Sequence, residues 1–545
     1  MSYHLQPFAQ TGLDETLLEY LIKEHESQRV PAFERYWSYY RNSLQLIETR
    51  TQAGRREWAW RPAQYDGLPT RLKSSETGTP AKEVVIENDI AWRLHALVDY
   101  MAGREVQLAS TAADASVRQQ INRILEAALT AFGGVRLLQQ AALLGAVYGH
   151  VDFILRTDAL LETAADSTGS FGKSGSSGGD LSSMGSAIAA APSNHVTDQG
   201  LPHDAAVMRA LDQMTLETVE APRAIPLLNP HDYRTLDAYL ISYHRPRNEI
   251  QKESAGRFMA RLGRWALGAP VGKTSADRGP QVGSLAGKRA TTHVMEILSA
   301  DHRQVYEDGQ LVYDGVNRIG ALPVVHVQDG TQPYYFDGLG EVEPLIPLQD
   351  ELNTRLSDRA NRVTLQSFKM YLGKGIDGFG ERPIGPGQMW MTDNLDSSIE
   401  EFGGDAASPS EEAHIREVRE ALDKASSVTP LAAGVIQGNL RVGSLSSENA
   451  LRISLLGILS KIERKRQRYS EGLASVFGLL LEALDQAGIM RTQPADRGID
   501  VLWTAAVPED QSKKLEEAVL KRDLGVPRQR ILSELGYGPD ELGDA

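Results

Sequence analysis

The sequence predicts an α+β fold, and three observations carry the prediction. Residues 1 to about 340 alternate between helical and strand-like periodicity; from Glu343 two amphipathic helices bracket a short β-like unit; and a proline-free helical segment runs from about Ser446 to Gln486. At 1.5 Å per residue that last segment extends about 60 Å, too long for one compact core.

Taken in order, residues 13–50 read as helical, with the aromatic run "FERYWSYYRNSL" packing rather than stacking on bases. In "ENDIAWRLHALVDYMAG" the residues Ile90, Leu94, Leu97, Val98 and Met101 recur at three- and four-residue spacing, Gly103 suits the stop, and "EVQLAS" alternates like a strand. Two more helices, "SVRQQINRILEAALTAF" and "VRLLQQAALLGAVYG", flank Gly133 and Gly134 and lead into the strand "HVDFILR". A Gly/Ser-rich stretch, about 160–215, reads as a flexible insertion. Beyond it, prolines punctuate the extended "TVEAPRAIPLLNPHDYRTL", and 250–292 is basic and glycine-rich. The runs "HVMEILS", "RQVYEDGQLVYDG" and "ALPVVHVQ" are strand-like, with an Asp-Gly turn signal between two of them.

After Glu343, Leu345, Leu348, Leu352, Leu356 and Val363 form an apolar stripe opposite Asp350, Arg355, Asp358 and Arg362. The β-like unit "KMYLGKGIDGFGERPIGPGQMWMTDNLDSSIEEF" separates this helix from "SPSEEAHIREVREALDKASSV". There Ser408 is placed to cap, Pro409 suits the first helical position, and Glu411 would complete a capping box. Ile415, Val418, Leu422 and Ala425 give this second helix a packing seam. The loop "TPLAAGVIQGNLRVGSLS" then precedes the overlong helix, whose centre, "KIERKRQR", reads as a solvated or salt-bridged face rather than a nucleic-acid site. The strand "DVLWTAAVP" and the helical pieces "EDQSKKLEEAVLKRD" and "RQRILSELGY" close the chain.

Composition removes several classes of function. Zero cysteines exclude disulfides and thiolate-held metals, and the scattered histidines include no pair at ligand spacing, so neither metal nor cofactor is expected. A formal charge of −15 argues against nonspecific coating of nucleic acid, which rests on Lys and Arg neutralising phosphates. The N-terminus carries no signal-peptide pattern, and no apolar run approaches bilayer-spanning length, so no membrane partner is expected. "LGAPVGKTS" imitates a phosphate-binding loop at Gly272, Lys273 and Thr274. Its first glycine position is Leu267, however, and Pro270 removes a backbone donor. "GSSGG" at Gly175–Gly179 satisfies a nucleophile-elbow pattern only literally, since no strand precedes it. The chain is therefore read as a non-enzyme. The competing readings are a nucleotide-driven motor subunit built on Gly272, Lys273 and Thr274, and a generic helical scaffold or adaptor.

The order of these parts resembles the portal proteins of tailed bacteriophages, of the siphophage type. The resemblance is carried by Asn88, Val98, Asp99, Gly103 and Val106 in the early helix-strand element and by Tyr148 and Gly149 before "HVDFIL". It continues through "NRIGALPVV", "PLIPLQDELNTRLSDRANR" and the tail "VPEDQSKKLEEAVLKRDLGVPRQRILSELGYGPDE", in family order over about three quarters of the chain. The Gly/Ser insertion and the basic stretch align with nothing in the family.

The resemblance implies a portal fold. Carried onto this chain, it gives a mixed α/β wing at 1–342, a first stem helix at 343–371 and a small β-containing clip at 372–407. A second stem helix follows at 408–428, a tunnel loop at 429–445, the long wing helix and strand at 446–507, and a small helical crown at 508–545. It further implies a homo-oligomeric ring, usually of twelve subunits, at one capsid vertex of a virion assembled in the bacterial cytoplasm. Double-stranded DNA would enter and leave through the ring, with the terminase large subunit, head-completion or adaptor proteins, and the capsid and scaffolding proteins as partners. In the tunnel loop, Gln437, Asn439 and Arg441 are the candidate channel contacts, and Gly434, Gly438 and Gly443 would let the loop shift. Glu412, Glu417 and Glu420 are candidate channel-facing stem charges.

Overall fold

Among the described residues, burial of apolar faces gives one large core, two smaller cores on either side of a sheet, and a small cluster of Tyr65, Leu68 and Leu72. The computed structural model describes residues 3–50, 56–73, 83–161, 202–246, 291–367, 370–374, 396–402, 408–434, 448–507 and 511–528, with 531, 532 and 535. "LGAPVGKTS" and "GSSGG" lie outside these residues.

The chain opens with α1 (Glu15–Glu24), capped by the Asp14 carboxylate, which accepts from the Leu17 amide at 2.7 Å. A π turn joins it to α2 (Val30–Arg41), which Asn42 ends in the left-handed region at φ 45°. The expected helix over 13–50 therefore stops short. Leu44–Arg50 is instead β1, paired antiparallel with β2 (Arg56–Pro62), because the period-two pattern of Leu44, Leu46 and the β-branched Ile47 finds a cross-strand partner. The aromatics of α2 pack as expected: Phe33 and Tyr39 are buried, and Trp37 stacks on Tyr148 with ring centroids 6.0 Å apart.

The short α3 (Thr70–Lys73) and an extended segment at 83–88 lead to α4 (Asp89–Ala102), capped by Asn88. There follow β3 (Val106–Ser110), α5 (Ala115–Ala131), α6 (Val135–Tyr148) and β4 (His150–Arg156), as the periodicity predicts. The flexible reading of 160–215 fails at its C-terminal end. α7 (Pro202–Leu211) precedes β5 (Thr215–Glu220), and Val207, Ala210, Leu211 and Met214 are buried in the large core. Composition marked this stretch as a linker, whereas those four side chains supply an apolar face that a core can cover.

The strands β6 (Ala224–Asn229), β7 (Asp232–Pro246), β8 (Thr291–Ser299), β9 (His302–Glu307) and β10 (Gln310–Val316) form an antiparallel sheet in the order β10-β9-β8-β7-β6. Asp308 and Gly309, both at positive φ (49° and 80°), form the two-residue turn between β9 and β10. One sheet face packs on Phe8, Leu13 and Leu18 of the N-terminal segment. The other meets the three-stranded sheet of β4, β5 and β11 (Val324–Gln328) across Ile154, Val219, Tyr239 and Ile241.

Next come α8 (Ile346–Ser367), preceded by a 3-10 turn at Glu343–Leu345, then β12 (Met370–Lys374), β13 (Ser398–Phe402) and α9 (Pro409–Ser426). The long helix is two: α10 (Glu448–Ser454) and α11 (Leu456–Gln486). They part at Leu455, which leaves helical geometry (φ −100°, ψ 6°) and is buried in the large core. The 31 residues of α11 still span about 46 Å. Finally β14 (Ile499–Trp503) returns to pair with β3, and α12 (Gln511–Asp523) follows. No single described helix is long and apolar enough to cross a membrane.

Candidate functional site

Helices α8 and α9 lie against each other, joined through the two-stranded sheet β12–β13. Leu352 and Leu356 of α8 and Ile415, Val418 and Leu422 of α9 are buried together in the large core, which realises both predicted apolar seams. At one end Arg362 pairs with Glu411, and further along Glu351 accepts from His414 at 3.0 Å and from Arg355 at 2.7 Å. The expected capping box is absent, since Glu411 is turned toward Arg362. The Ser408 hydroxyl makes no cap bond, and its carbonyl instead receives the Glu411 and Glu412 amides at 3.1 Å.

A second face of α8 holds a strand-like segment by a ladder of polar side chains. Gln349, Asn353, Ser357 and Asn361 recur at four-residue spacing and so lie in one row. Their oxygens accept the amides of Asp89, Glu87, Val85 and Glu83 in turn, each at 2.8–3.0 Å. Gln349, Ser357 and Asn361 also donate to the carbonyls of Glu87, Val85 and Glu83. Asn353 donates to Gln64, whose amide reaches Asn88, so the row continues into α4's cap. Sequence reasoning missed this ladder, although its signal was present: Gln, Asn, Ser and Asn at i, i+4, i+8 and i+12 beside an apolar stripe. Buried side-chain amides require partners, and an unpaired extended backbone supplies them.

The roots of the helix pair are fixed by buried charge. Asp329 directly follows β11, Glu341 lies just before the turn that opens α8, and Ser426 ends α9. Into this point α11 sends Lys461, which donates to Glu341 at 2.6 Å and to the Ser426 carbonyl at 2.7 Å, and Lys465, which pairs with Asp329 and with Glu341 at 3.0 Å. Burial works against the Lys465 ammonium, but the two carboxylates outweigh it and hold its pKa above the ordinary lysine value. Burial likewise opposes the Glu341 carboxylate, yet Lys465 and Lys461 bring its pKa below the usual range. Asp329, completely buried and beside Glu341, is pushed up. Tyr469 donates to Asp329 at 3.3 Å, and a Cβ on Gly145 would collide with the Tyr469 hydroxyl, so a glycine is needed where α6 passes.

The "KIERKRQR" segment is thus split: Lys461, Lys465 and Arg466 turn inward, while Glu463, Arg464, Gln467 and Arg468 form a solvated face. Its Arg466 donates to the carbonyls of Tyr100 and Met101 at 3.1 Å and of Thr504 at 3.0 Å, which satisfies the last turn of α4. The Lys461 ammonium does the same for the last turn of α9, where the helix dipole favours a cation. Among the described residues no cluster of His, Asp or Glu is placed to hold a metal ion.

Of the residues expected at a channel, Gln437, Asn439, Arg441, Gly438 and Gly443 lie outside the described residues. Gly434 ends the 3-10 turn Pro430–Ala433 at φ 78°, with open space where a Cβ would stand. Glu412, Glu417 and Glu420 are all exposed on α9. Glu412 and Glu420 border a cleft of about 550 Å³ between α4, α8 and α9, together with Arg359, Arg416, Arg419 and Asp423. Glu417 stands outside that lining, 3.9 Å from the His414 ring. Beside the cleft, Arg93 is buried between Asp89 and Asp423, at 2.9 and 2.5 Å, with its guanidinium 4.2 Å from the Trp92 ring.

Among the described residues, the helix pair stands on a β connection and is anchored by buried charge. The comparison with known families identifies a portal-like segment within the chain. Residues 298–538, from the end of β8 past α12, match the family described as phage portal protein, SPP1 Gp6-like. Among solved structures the chain is similar to one from "Neck of empty GTA particle computed with C6 symmetry", at 12% sequence identity and a TM-score of 0.41, over 82% of this chain and 89% of that one. No curated protein matches the chain.

Proposed function

We infer that the protein assembles into a closed ring, usually of twelve copies, at one vertex of a phage capsid, and that double-stranded DNA passes through its channel during packaging and ejection. α8 and α9 act as the stem and β12–β13 as the clip. The segment after Gly434 acts as the tunnel loop, the body from α1 to β11 with α11 and β14 as the wing, and α12 as the crown. The terminase large subunit and head-completion proteins dock from outside, while capsid and scaffolding proteins surround the ring.

The observation that carries this reading is the way α8 and α9 are held. Their apolar seam, the amide ladder and the four-charge root fix the pair rigidly to the body, as an element that must keep its place while a polymer slides past requires. Exposed glutamates suit the same task, because each phosphate neutralised by a protein cation adds affinity and would slow passage. Electron microscopy of the purified chain tests the reading. Rings with a central hole of roughly duplex width are expected; particles without one would refute it.

A further inference from the structure

The hairpin β1–β2 carries the most exposed aromatic surface near the helix pair. Cross-strand register sets Leu46 opposite Trp60 and Leu44 opposite Pro62, with Trp58 on the same face. That face is bare: Trp58 is 62% exposed, Trp60 64%, Leu44 64% and Leu46 42%. The opposite face is covered, with Ile47 packed on Tyr65, Leu68 and Leu72. The two indoles alone leave roughly 300 Å² of apolar surface in water. With the two leucines the patch approaches half of the ~800 Å² that each partner gives to a standard interface. A patch of this kind on a soluble chain marks a contact surface.

A complementary surface lies across α8. The cleft between α4, α8 and α9 has an apolar floor of Trp92, Ile415 and Pro430, and its rim carries Arg359, Arg416 and Glu420, which form no ion pair among the described residues. Unpaired guanidinium groups beside an apolar floor suit the faces of indole rings. The segment that packs beneath the hairpin also reaches the stretch of α8 that borders the cleft. Arg71, just after the hairpin, pairs with Asp358 of α8 at 2.5 Å, and the next residue of α8, Arg359, lines the cleft. In a ring, each subunit meets its neighbours through two different faces related by rotation.

We propose that the outer face of hairpin β1–β2 docks into the α4–α8–α9 cleft of the adjacent copy, with Trp58 and Trp60 seated against Arg359 and Arg416. This rests on the ring reading above and adds the surfaces that close the ring. It also gives Glu420 a role at a subunit boundary instead of the channel wall.

The absence of cysteine from the chain makes the test direct. In the double variant Trp60→Cys/Arg416→Cys, oxidation is expected to yield a ladder of covalent oligomers up to the full ring, while each single variant stays monomeric on a denaturing gel. Rings that form without the ladder would overturn the docking and leave the ring reading intact. A wild-type chain that forms no ring would instead overturn the ring reading. The pair Trp58→Ser/Trp60→Ser, checked for an unchanged circular dichroism spectrum, should raise the concentration needed for ring assembly by about tenfold or more. Unaltered assembly, or a loss of DNA binding with rings intact, would assign the hairpin face to something other than a neighbouring subunit.

Discussion

At the level of single residues, the protein depends on charges it cannot expose. Lys465 is the clearest case, since its removal leaves Asp329 and Glu341 buried with reduced compensation. Lys465→Met should destabilise the chain by about 3–5 kcal/mol in urea unfolding, and the double variant Lys465→Met/Asp329→Leu should recover part of that loss. A second case is His150, whose pKa full burial lowers from 6.5 to about 4 despite the nearby Asp152 carboxylate. Its surroundings are Asp152, His326, Asp337 and Arg29, with the His150 Nδ1 3.6 Å from Asp337 and the His326 Nδ1 2.7 Å from Asp152. Because the folded chain resists protonation here, the unfolded chain binds more protons as the pH falls below about 6.5. The associated stability is complete above that value and is lost on descent toward about 4, to the extent of about 3 kcal/mol. His25, also lowered chiefly by burial, acts in the same direction, while the raised Asp329 works against it. His150→Phe should flatten the acid limb of stability against pH; an unchanged limb would show that another group dominates it.

At the level of elements, the amide ladder decides how α8 sits. Its four side chains were visible in the sequence as polar residues at helical spacing, but nothing local said that they face an extended segment more than 250 positions earlier in the chain. Asn353 is the test residue, because it joins the Glu87 amide, Gln349 and Gln64. Asn353→Leu should cost about 2–4 kcal/mol, since it leaves buried partners unsatisfied, and should speed amide exchange at Glu87 in particular. Uniform exchange across the chain would indicate a general loss of stability instead. The periodic helices α4, α5, α6, α8 and α9 were legible because each apolar face repeats at helical spacing. The misread elements were those where a competing local signal prevailed. Asn42 ended a helix that the aromatic run seemed to continue, and Leu455 broke one that lacked any proline. α7 was hidden behind a glycine-rich composition.

At the level of the whole molecule, the proposed conduit role predicts that this chain carries no nucleotide chemistry of its own. Purified protein should show no sustained ATP turnover, and Lys273→Ala should leave both ring formation and that baseline unchanged. Turnover abolished by the substitution would revive the motor reading. The sequence alone determined the fold class, the order of the parts, the apolar seams of α8 and α9, and through their order the portal resemblance, because each rests on local spacing or chain order. Only the tertiary structure decided the rest. It turned Lys461, Lys465 and Arg466 inward onto Asp329, Glu341 and the ends of two helices. It left Glu417 outside the cleft that Glu412 and Glu420 border, and it left the outer face of hairpin β1–β2 exposed. The physical reason is common to all three: burial and charge pairing depend on which distant segments share a neighbourhood, and spacing within one segment does not carry that information.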